Sequence, residues 1–133
     1  MKATKPLSVL AALALMTAPA FAGDAGAGEK DFRKCKACHS IEGAVKGGRT
    51  GPDLHGVIGR TAGTYDGFKY GPDLVAAGEK GLVWDEENIV TYVADPKAFL
   101  QEYLGDSGAK SKMTFKLPKG GEDIAAYLAT FTE

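Results

Sequence analysis

The second half of the chain arranges its apolar and polar residues with the period of short helices. The clearest stripe is near the C terminus, where a helix opening at Gly121 places apolar residues at i, i+3, i+4 and i+7: Ile124, Tyr127, Leu128 and Phe131. A second helix is predicted from Trp84 to Asp95, because acidic residues fill its first turn and apolar residues follow on one side. Pro96, at an N1-like position, starts a third helix that continues to Gly105.

The first half of the chain predicts one helix followed by loops. Asp24 suits an N-cap, and residues 27–38 predict a helix that carries Phe32. Glycine and proline dominate residues 43–81, which favours loops over regular elements. No strand-like alternation of useful length occurs, so the predicted fold is all-α, with about four to five short helices joined by long loops. Loops this long need a purpose, such as wrapping a bound group.

The first 22 residues have the pattern of a secretory signal peptide. Lys2 and Lys5 precede an uncharged run over residues 7–18, and Ala20-Phe21-Ala22 matches the small-x-small cleavage site. The run is shorter than the roughly 20 apolar residues of a membrane-spanning helix, and an uncleaved membrane anchor is the alternative. Cleavage after Ala22 would leave a single domain over residues 23–133. Because two lysines are lost, the formal net charge would change from −1 to −3.

Cys35-Lys36-Ala37-Cys38-His39 carries the strongest chemical signal, because C-x-x-C-H is the attachment pattern of haem c. Thiols three positions apart lie about one helical turn from each other and can add to two vinyl groups along one haem edge. His39 can then ligate the iron. A thioredoxin-like pair does not call for His39, and a zinc site would need both cysteines and both histidines of the chain. A disulfide over so short a loop would stabilise little.

The sixth coordination position of such an iron needs a ligand or stays open. Once a signal peptide is removed, Met113 is the only methionine, and Met/His ligation raises the potential of cytochromes c. Elsewhere a lone methionine would be a core gap-filler. His55 is the rival ligand, and is otherwise a surface or hydrogen-bonded loop histidine. Two strong ligands favour electron transfer, whereas an open position favours a haem enzyme or a gas- or peroxide-binding protein.

Taken together, these residues resemble class I c-type cytochromes, most closely the larger subtype of bacterial cytochrome c2, over essentially all of residues 23–133. The resemblance implies the cytochrome c fold around one haem c bound covalently through Cys35 and Cys38, with His39 and Met113 as axial ligands. It also implies that the Pro52 carbonyl accepts the Nδ1 hydrogen of His39, a contact that orients a ligand and tunes its basicity.

The same resemblance assigns the rest of the haem environment. Hydrogen bonds to propionates or nearby waters fall to Arg60, Tyr70 and Trp84, while Ser111 supplies a hydroxyl near a propionate. Tyr92 would bond the Met113 sulfur, and Phe115 would flank the exposed haem edge. Two features depart from the pattern. Asp53 stands where many relatives have Asn, and residues 101–109 are longer than in mitochondrial relatives.

Lysines near the two ligand segments predict transient electrostatic docking, since both segments should meet at the haem. They are Lys34, Lys36, Lys46, Lys97, Lys110, Lys112, Lys116 and Lys119. A basic front on a net acidic chain requires an acidic back, and such a chain is not expected to bind nucleic acid. The resemblance implies a monomeric periplasmic carrier, not an enzyme. Its donor would be the cytochrome bc1 complex, and its acceptor a photosynthetic reaction centre, a terminal oxidase or both.

Overall fold

The computed structural model describes residues 23–43 and 50–132 and shows five α-helices joined by long loops. They are α1 (Ala25–Asp31), α2 (Pro72–Glu79), α3 (Glu86–Ala94), α4 (Pro96–Leu104) and α5 (Gly121–Ala129). A 3-10 helix, Phe32–Lys34, extends α1. Within these residues the only β pairing is an isolated bridge between Thr61 and Val83, so the all-α prediction is confirmed. The predicted signal peptide, residues 1–22, lies outside the described residues.

Side-chain caps fix where three of the helices begin. Asp24 accepts hydrogen bonds from two N–H groups in the first turn of α1. Asp85 accepts from the Asn88 N–H while the Asn88 side chain accepts from the Asp85 N–H, which is the reciprocal capping box of α3. Asp95 caps α4, which begins at Pro96. Each cap of this kind stabilises its helix by about 1 kcal/mol, so the sequence sets these starting points locally.

The crossing of α1 and α5 brings two helix backbones into direct contact. A Cβ atom added at Gly28 would lie 1.9 Å from the Asp123 carbonyl oxygen, so only glycine permits this approach. Phe32 is fully buried beside the crossing, and its ring centroid lies 5.4 Å from that of Tyr127. Burial of a side chain of this size contributes about 1.5–3 kcal/mol.

Two helix predictions need correction. The prediction of loops over residues 43–81 is wrong at α2, where Gly71 is the N-cap and Pro72 occupies the first turn. The short apolar segment behind this turn signal forms a helix because Ala77 and Gly78 bury against the chain near Ala62. The helix predicted over residues 27–38 ends earlier, at Asp31, because the chain tightens into the 3-10 helix and a turn.

The long loop after α1 folds back onto the segment that precedes α3. The Trp84 N–H donates to the Arg60 carbonyl at 2.9 Å, and the Gly59 N–H donates to the Trp84 carbonyl at 2.7 Å. These bonds hold the buried Trp84 ring edge-on to Tyr92 of α3, with centroids 4.8 Å apart. Across the described ranges, no helix has the length and apolar character needed to cross a membrane.

Candidate functional site

The C-x-x-C-H motif occupies a turn directly after the 3-10 helix. The N–H groups of Cys38 and His39 both donate to the Cys35 carbonyl, at 3.1 and 2.8 Å. Neither cysteine forms a disulfide, and Cys35 is half-buried whereas Cys38 is exposed. Burial raises the pKa of the Cys35 thiol, and the neighbouring Lys34 ammonium acts in the opposite direction. The turn therefore presents two thiols and an imidazole within five residues.

The imidazole of His39 is oriented by a backbone carbonyl. Its Nδ1 lies 2.7 Å from the Pro52 carbonyl oxygen, and since a carbonyl can only accept, Nδ1 carries the hydrogen. The Nε2 lone pair is then free to bind a metal. Burial lowers the pKa of His39, while the bond to Pro52 and the charge of Asp53 act in the opposite direction. The lowered pKa of His39 favours the neutral imidazole, which is the form that ligates iron.

Two segments pair across this site and fix the imidazole between them. The Gly51 N–H donates to the Cys38 carbonyl at 2.9 Å, and the Leu54 N–H donates to the Ser40 carbonyl at 2.9 Å. Gly51 faces the imidazole itself, because a Cβ atom at this position would lie 2.4 Å from Cε1 of His39. The absence of a side chain at Gly51 therefore makes room for the His39 ring.

Asp53 and His55 tie the same loop together. The buried Asp53 carboxylate accepts hydrogen bonds from the Ser40 hydroxyl at 2.5 Å and from the His55 N–H at 2.8 Å. The His55 Nδ1 lies 3.2 Å from the Ile41 carbonyl, and its ring packs edge-on to Phe131. These are the contacts of a hydrogen-bonded loop histidine.

The segment around Met113 is fastened to the helices at both ends. The Lys110 N–H donates to the Asp73 carboxylate of α2 at 2.7 Å, and the Leu117 N–H donates to the Val93 carbonyl of α3 at 2.7 Å. Met113 is half-buried between these points and packs against the core.

Lys112, beside Met113, turns back onto the preceding loop. Its ammonium group donates to the Lys69 carbonyl at 2.6 Å and lies 5.0 Å from the centroid of the Phe68 ring. On the other side of Met113, Phe115 is 41% exposed, one of two large hydrophobic side chains that the described residues leave open to solvent.

Hydroxyl groups connect α3 to the Met113 segment. The Ser111 hydroxyl donates to the Met113 carbonyl at 2.8 Å and is also hydrogen-bonded to the Tyr92 hydroxyl. Burial raises the pKa of Tyr92, and the bond to Ser111 offsets only part of that rise. In the described residues Tyr92 thus bonds Ser111, and the bond to the Met113 sulfur that the resemblance implied stays a prediction.

Arg60 lies under the same loop and braces it from inside. Its guanidinium donates to the carbonyls of Asp53, at 3.0 Å, and His55, at 2.6 Å, and stacks over the Tyr65 ring at 4.5 Å. The Tyr70 hydroxyl accepts from the Tyr65 N–H at 3.1 Å and is bonded to Arg60. Burial raises the pKa of Tyr70, and the hydrogen bonds from Tyr65 and Arg60 offset only part of that rise. The propionate roles predicted for Arg60, Tyr70 and Trp84 stay predictions.

Comparison with known proteins assigns the family. No protein-family model matches the sequence. The chain is 63% identical to cytochrome c-551 of Roseobacter denitrificans, over 96% of this chain and 95% of that protein. It is 59% identical to cytochrome c2 of Rhodobacter capsulatus over 98% of each. The solved structure of cytochrome c2 from Rhodobacter capsulatus matches with a TM-score of 0.77 at 59% identity, covering 81% of this chain and 97% of that one. The chain belongs to the cytochrome c2 family.

As a cytochrome c2 relative, the protein is a mono-haem electron carrier with one haem c, bound covalently through two thioethers. Cys35 and Cys38 supply the matching thiols. The described residues fit this group, because the Pro52 carbonyl occupies Nδ1 of His39 and leaves Nε2 for iron, and Gly51 leaves space for the ring. When bound, the haem supplies a one-electron Fe(III)/Fe(II) couple.

The predicted docking lysines differ in how far their charge is already neutralised. The Lys116 ammonium lies 2.8 Å from the Asp95 carboxylate, and the Lys34 ammonium lies 3.8 Å from that of Asp31. Lys36 is exposed. Lys46 lies outside the described residues. Of the seven that lie within residues 23–43 and 50–132, three have a side chain with no ion-pair or hydrogen-bond partner there: Lys97, Lys110 and Lys119.

Sequence reasoning missed three residues that shape this site. Gly51 lies in the stretch predicted as loops, and its place next to a proline is the only sequence signal that could have suggested close packing. Ser40 follows the motif directly, yet its bond to Asp53 depends on a contact 13 residues away. Asp73 lies in a segment predicted as a loop that the structure shows to be α2, and its contact with Lys110 depends on that helix.

Replacing Gly51 by Ala should destabilise the haem-loaded protein by about 2–3 kcal/mol, because the new methyl group overlaps the His39 ring. Gly71→Ala is the matched control, since a Cβ atom there meets nothing closer than 3.6 Å. Guanidinium-chloride unfolding followed by circular dichroism measures both. Equal midpoints for the two variants would show that Gly51 is not needed to seat the imidazole.

Proposed function

We propose that this protein is a periplasmic electron shuttle rather than an enzyme, with His39 and Met113 as the two axial ligands of its haem iron. Electrons would come from the cytochrome bc1 complex and pass to a photosynthetic reaction centre, a terminal oxidase or both. Export by the signal peptide predicted over residues 1–22 would bring the chain to the periplasm. The chain would act as a monomer that docks briefly and leaves.

The observation that carries this proposal is the bond between His39 and the Pro52 carbonyl. It fixes the neutral tautomer with Nε2 available, and such a bond raises the basicity of a metal-ligating histidine. Met113 is a plausible second ligand, since its segment is anchored at Asp73 and Val93 while the residue itself is only half-buried. Two protein ligands leave no coordination position for a substrate, which favours outer-sphere transfer over catalysis.

Absorption spectroscopy of the haem-loaded protein tests this ligation directly. A low-spin ferric spectrum with a weak band near the red end, and a ferrous spectrum that does not change with carbon monoxide, are expected for a closed His/Met site. A high-spin spectrum, or ready binding of carbon monoxide, would overturn the proposal and favour a haem enzyme or a gas-binding protein.

Docking would rest on positive charge around the ligand segments. Lys110 and Lys119 flank the Met113 segment with uncompensated ammonium groups in the described part of the chain. Charge complementarity of this kind raises the association rate more than the affinity, which suits a carrier that must release its partner after each transfer. The partners would accordingly present acidic surfaces.

Lys110→Glu should slow electron transfer to isolated reaction centres or to an oxidase by about fivefold at low salt, because it reverses a charge beside the Met113 segment. Lys80→Glu is the charge-matched control. Lys80 lies at the other end of α2 from the Lys110 contact at Asp73, about 10 Å along the helix axis. Flash photolysis or stopped-flow at increasing salt measures both. The difference should disappear as the Debye length falls to about 3 Å near 1 M salt. A salt-independent rate would contradict electrostatic docking.

A further inference from the structure

Asp53 is the one charged side chain among the buried residues of the described chain, with an exposed fraction of 4%. A carboxylate removed from water is unfavourable unless hydrogen bonds replace its hydration. Its position on the loop that supports His39 raises the question of what this charge does.

The surroundings of Asp53 are those of an ionised carboxylate. One oxygen accepts from the N–H groups of His55, at 2.8 Å, and Gly43, at 3.2 Å. The other accepts from the Ser40 hydroxyl at 2.5 Å and from the same Gly43 N–H at 3.2 Å. An ionised carboxylate is an acceptor at both oxygens, so these donors match its charged form. In the described residues no lysine, arginine or histidine forms an ion pair with it.

The same residue is joined to the proximal histidine by two short routes. Pro52, which receives the His39 Nδ1 hydrogen, directly precedes Asp53. Ser40, which donates to the Asp53 carboxylate, directly follows His39. The bond between the Leu54 N–H and the Ser40 carbonyl closes this arrangement on the other side. The negative charge is therefore held behind the imidazole by a hydrogen-bonded frame.

Arg60 lies beside this frame but forms no ion pair with the Asp53 carboxylate. Its guanidinium is used on the main-chain carbonyls of Asp53 and His55 and on the ring of Tyr65. A buried charge is screened less by solvent and salt than an exposed one, so its field persists at the ligand. A fixed negative charge stabilises the more positive ferric state relative to the ferrous state.

We propose that Asp53 is a positioning residue that lowers the reduction potential of the haem by placing a permanent negative charge behind His39. The inference rests on the proposed ligation of iron by His39. It goes beyond that ligation because it gives Asp53, which has no direct contact with the His39 side chain, a part in setting the reduction potential.

The test is a potentiometric titration of the haem-loaded protein carrying Asp53→Asn. Loss of the charge should shift the equilibrium with a one-electron mediator toward the ferrous form by about fivefold, which corresponds to about 40 mV. The shift should persist at high salt, because the site is buried. Asp53→Ser is a second neutral variant that serves if the Asn variant does not fold.

Two control variants separate the charge from the frame. Ser40→Ala removes one hydrogen bond to Asp53 but keeps the charge, so its potential should stay the same or fall. Glu102→Gln removes one negative charge at an exposed position of α4 and should change the equilibrium by less than twofold at high salt.

Each outcome has one meaning. A shift of the mediator equilibrium toward the ferrous form by threefold or more in the neutral Asp53 variants, with no such shift in Ser40→Ala, supports the proposal. A shift below threefold in the neutral Asp53 variants overturns the proposal, because the charge would then have no sufficient effect on the potential. An equal shift in Ser40→Ala also overturns it, because the effect would then come from loosening the loop. The spectrum separates this from the proposed function. A wild-type spectrum without the His/Met signature means that the ligation fails, whereas an intact spectrum with an unchanged potential means that only the role of Asp53 fails.

Discussion

Met113→Ala should lower the reduction potential by on the order of 0.2 V and abolish the weak red band of the ferric protein. Axial ligands tune haem potentials over a range of about 0.8 V, and a thioether opposite histidine raises the potential because it favours ferrous iron. Redox titration with optical detection measures the potential and the band in one experiment. The loss of the thioether should also open the iron to carbon monoxide in the ferrous protein.

The control must lose a similar volume from the same segment without losing a ligand. Leu117→Ala serves, because Leu117 packs half-buried against the core and its backbone N–H bonds Val93. We expect this variant to be less stable but to keep the red band and a potential close to that of the parent. A parent-like potential and spectrum in Met113→Ala, together with a changed spectrum and carbon monoxide binding in His55→Gln, would assign the sixth position to His55.

Gly28→Ala should lower the free energy of unfolding by about 3 kcal/mol, because the new methyl group cannot fit between α1 and α5. Its position lies 1.9 Å from the Asp123 carbonyl oxygen and 2.8 Å from Cβ of Tyr127, and the first of these is rigid helix backbone. Relief requires the two helices to separate, which also loosens the packing of Phe32. Denaturant unfolding of the haem-loaded protein, followed by far-ultraviolet circular dichroism, measures the change.

Gly26→Ala is the matched control in the same helix. The nearest atom to a Cβ there is a carboxylate oxygen of Asp24 at 3.3 Å, and the position is exposed. Alanine is favoured over glycine inside a helix by about 1 kcal/mol, so this variant should keep or slightly gain stability. Similar losses in both variants would mean that the close crossing of α1 and α5 does not limit stability.

The helices that the sequence predicted well are those whose ends and apolar stripe are both local. The helix predicted to open at Gly121 is α5, and the one predicted to start at Pro96 is α4. In contrast, α2 was missed because Gly71 and Pro72 have the composition of a turn, and its burial beside Ala62 becomes visible only in three dimensions. The local sequence pattern therefore predicted a helix only where its formation did not depend on tertiary packing.

The site divides in the same way. The residue types and spacing of the C-x-x-C-H motif were enough to predict haem attachment. The bond from His39 to Pro52 was implied by a family resemblance rather than derived. The buried charge of Asp53 and its bond to Ser40 could not be read from sequence, because burial and a 13-residue contact are tertiary properties. Asp73 was out of reach for the same reason, since its partner Lys110 lies 37 residues away.

The two anchors of the Met113 segment have a consequence for ligand exchange. Between the bond at Lys110 and the bond at Leu117 the chain is a short closed loop, so a Met113 thioether that ligates the iron, as proposed, would stay tethered close to it after leaving. Rebinding would then be an intramolecular step, with an effective concentration on the order of millimolar or above for so short a tether. A small external ligand would have to compete with that local concentration, and the loop would protect the metal without covering it.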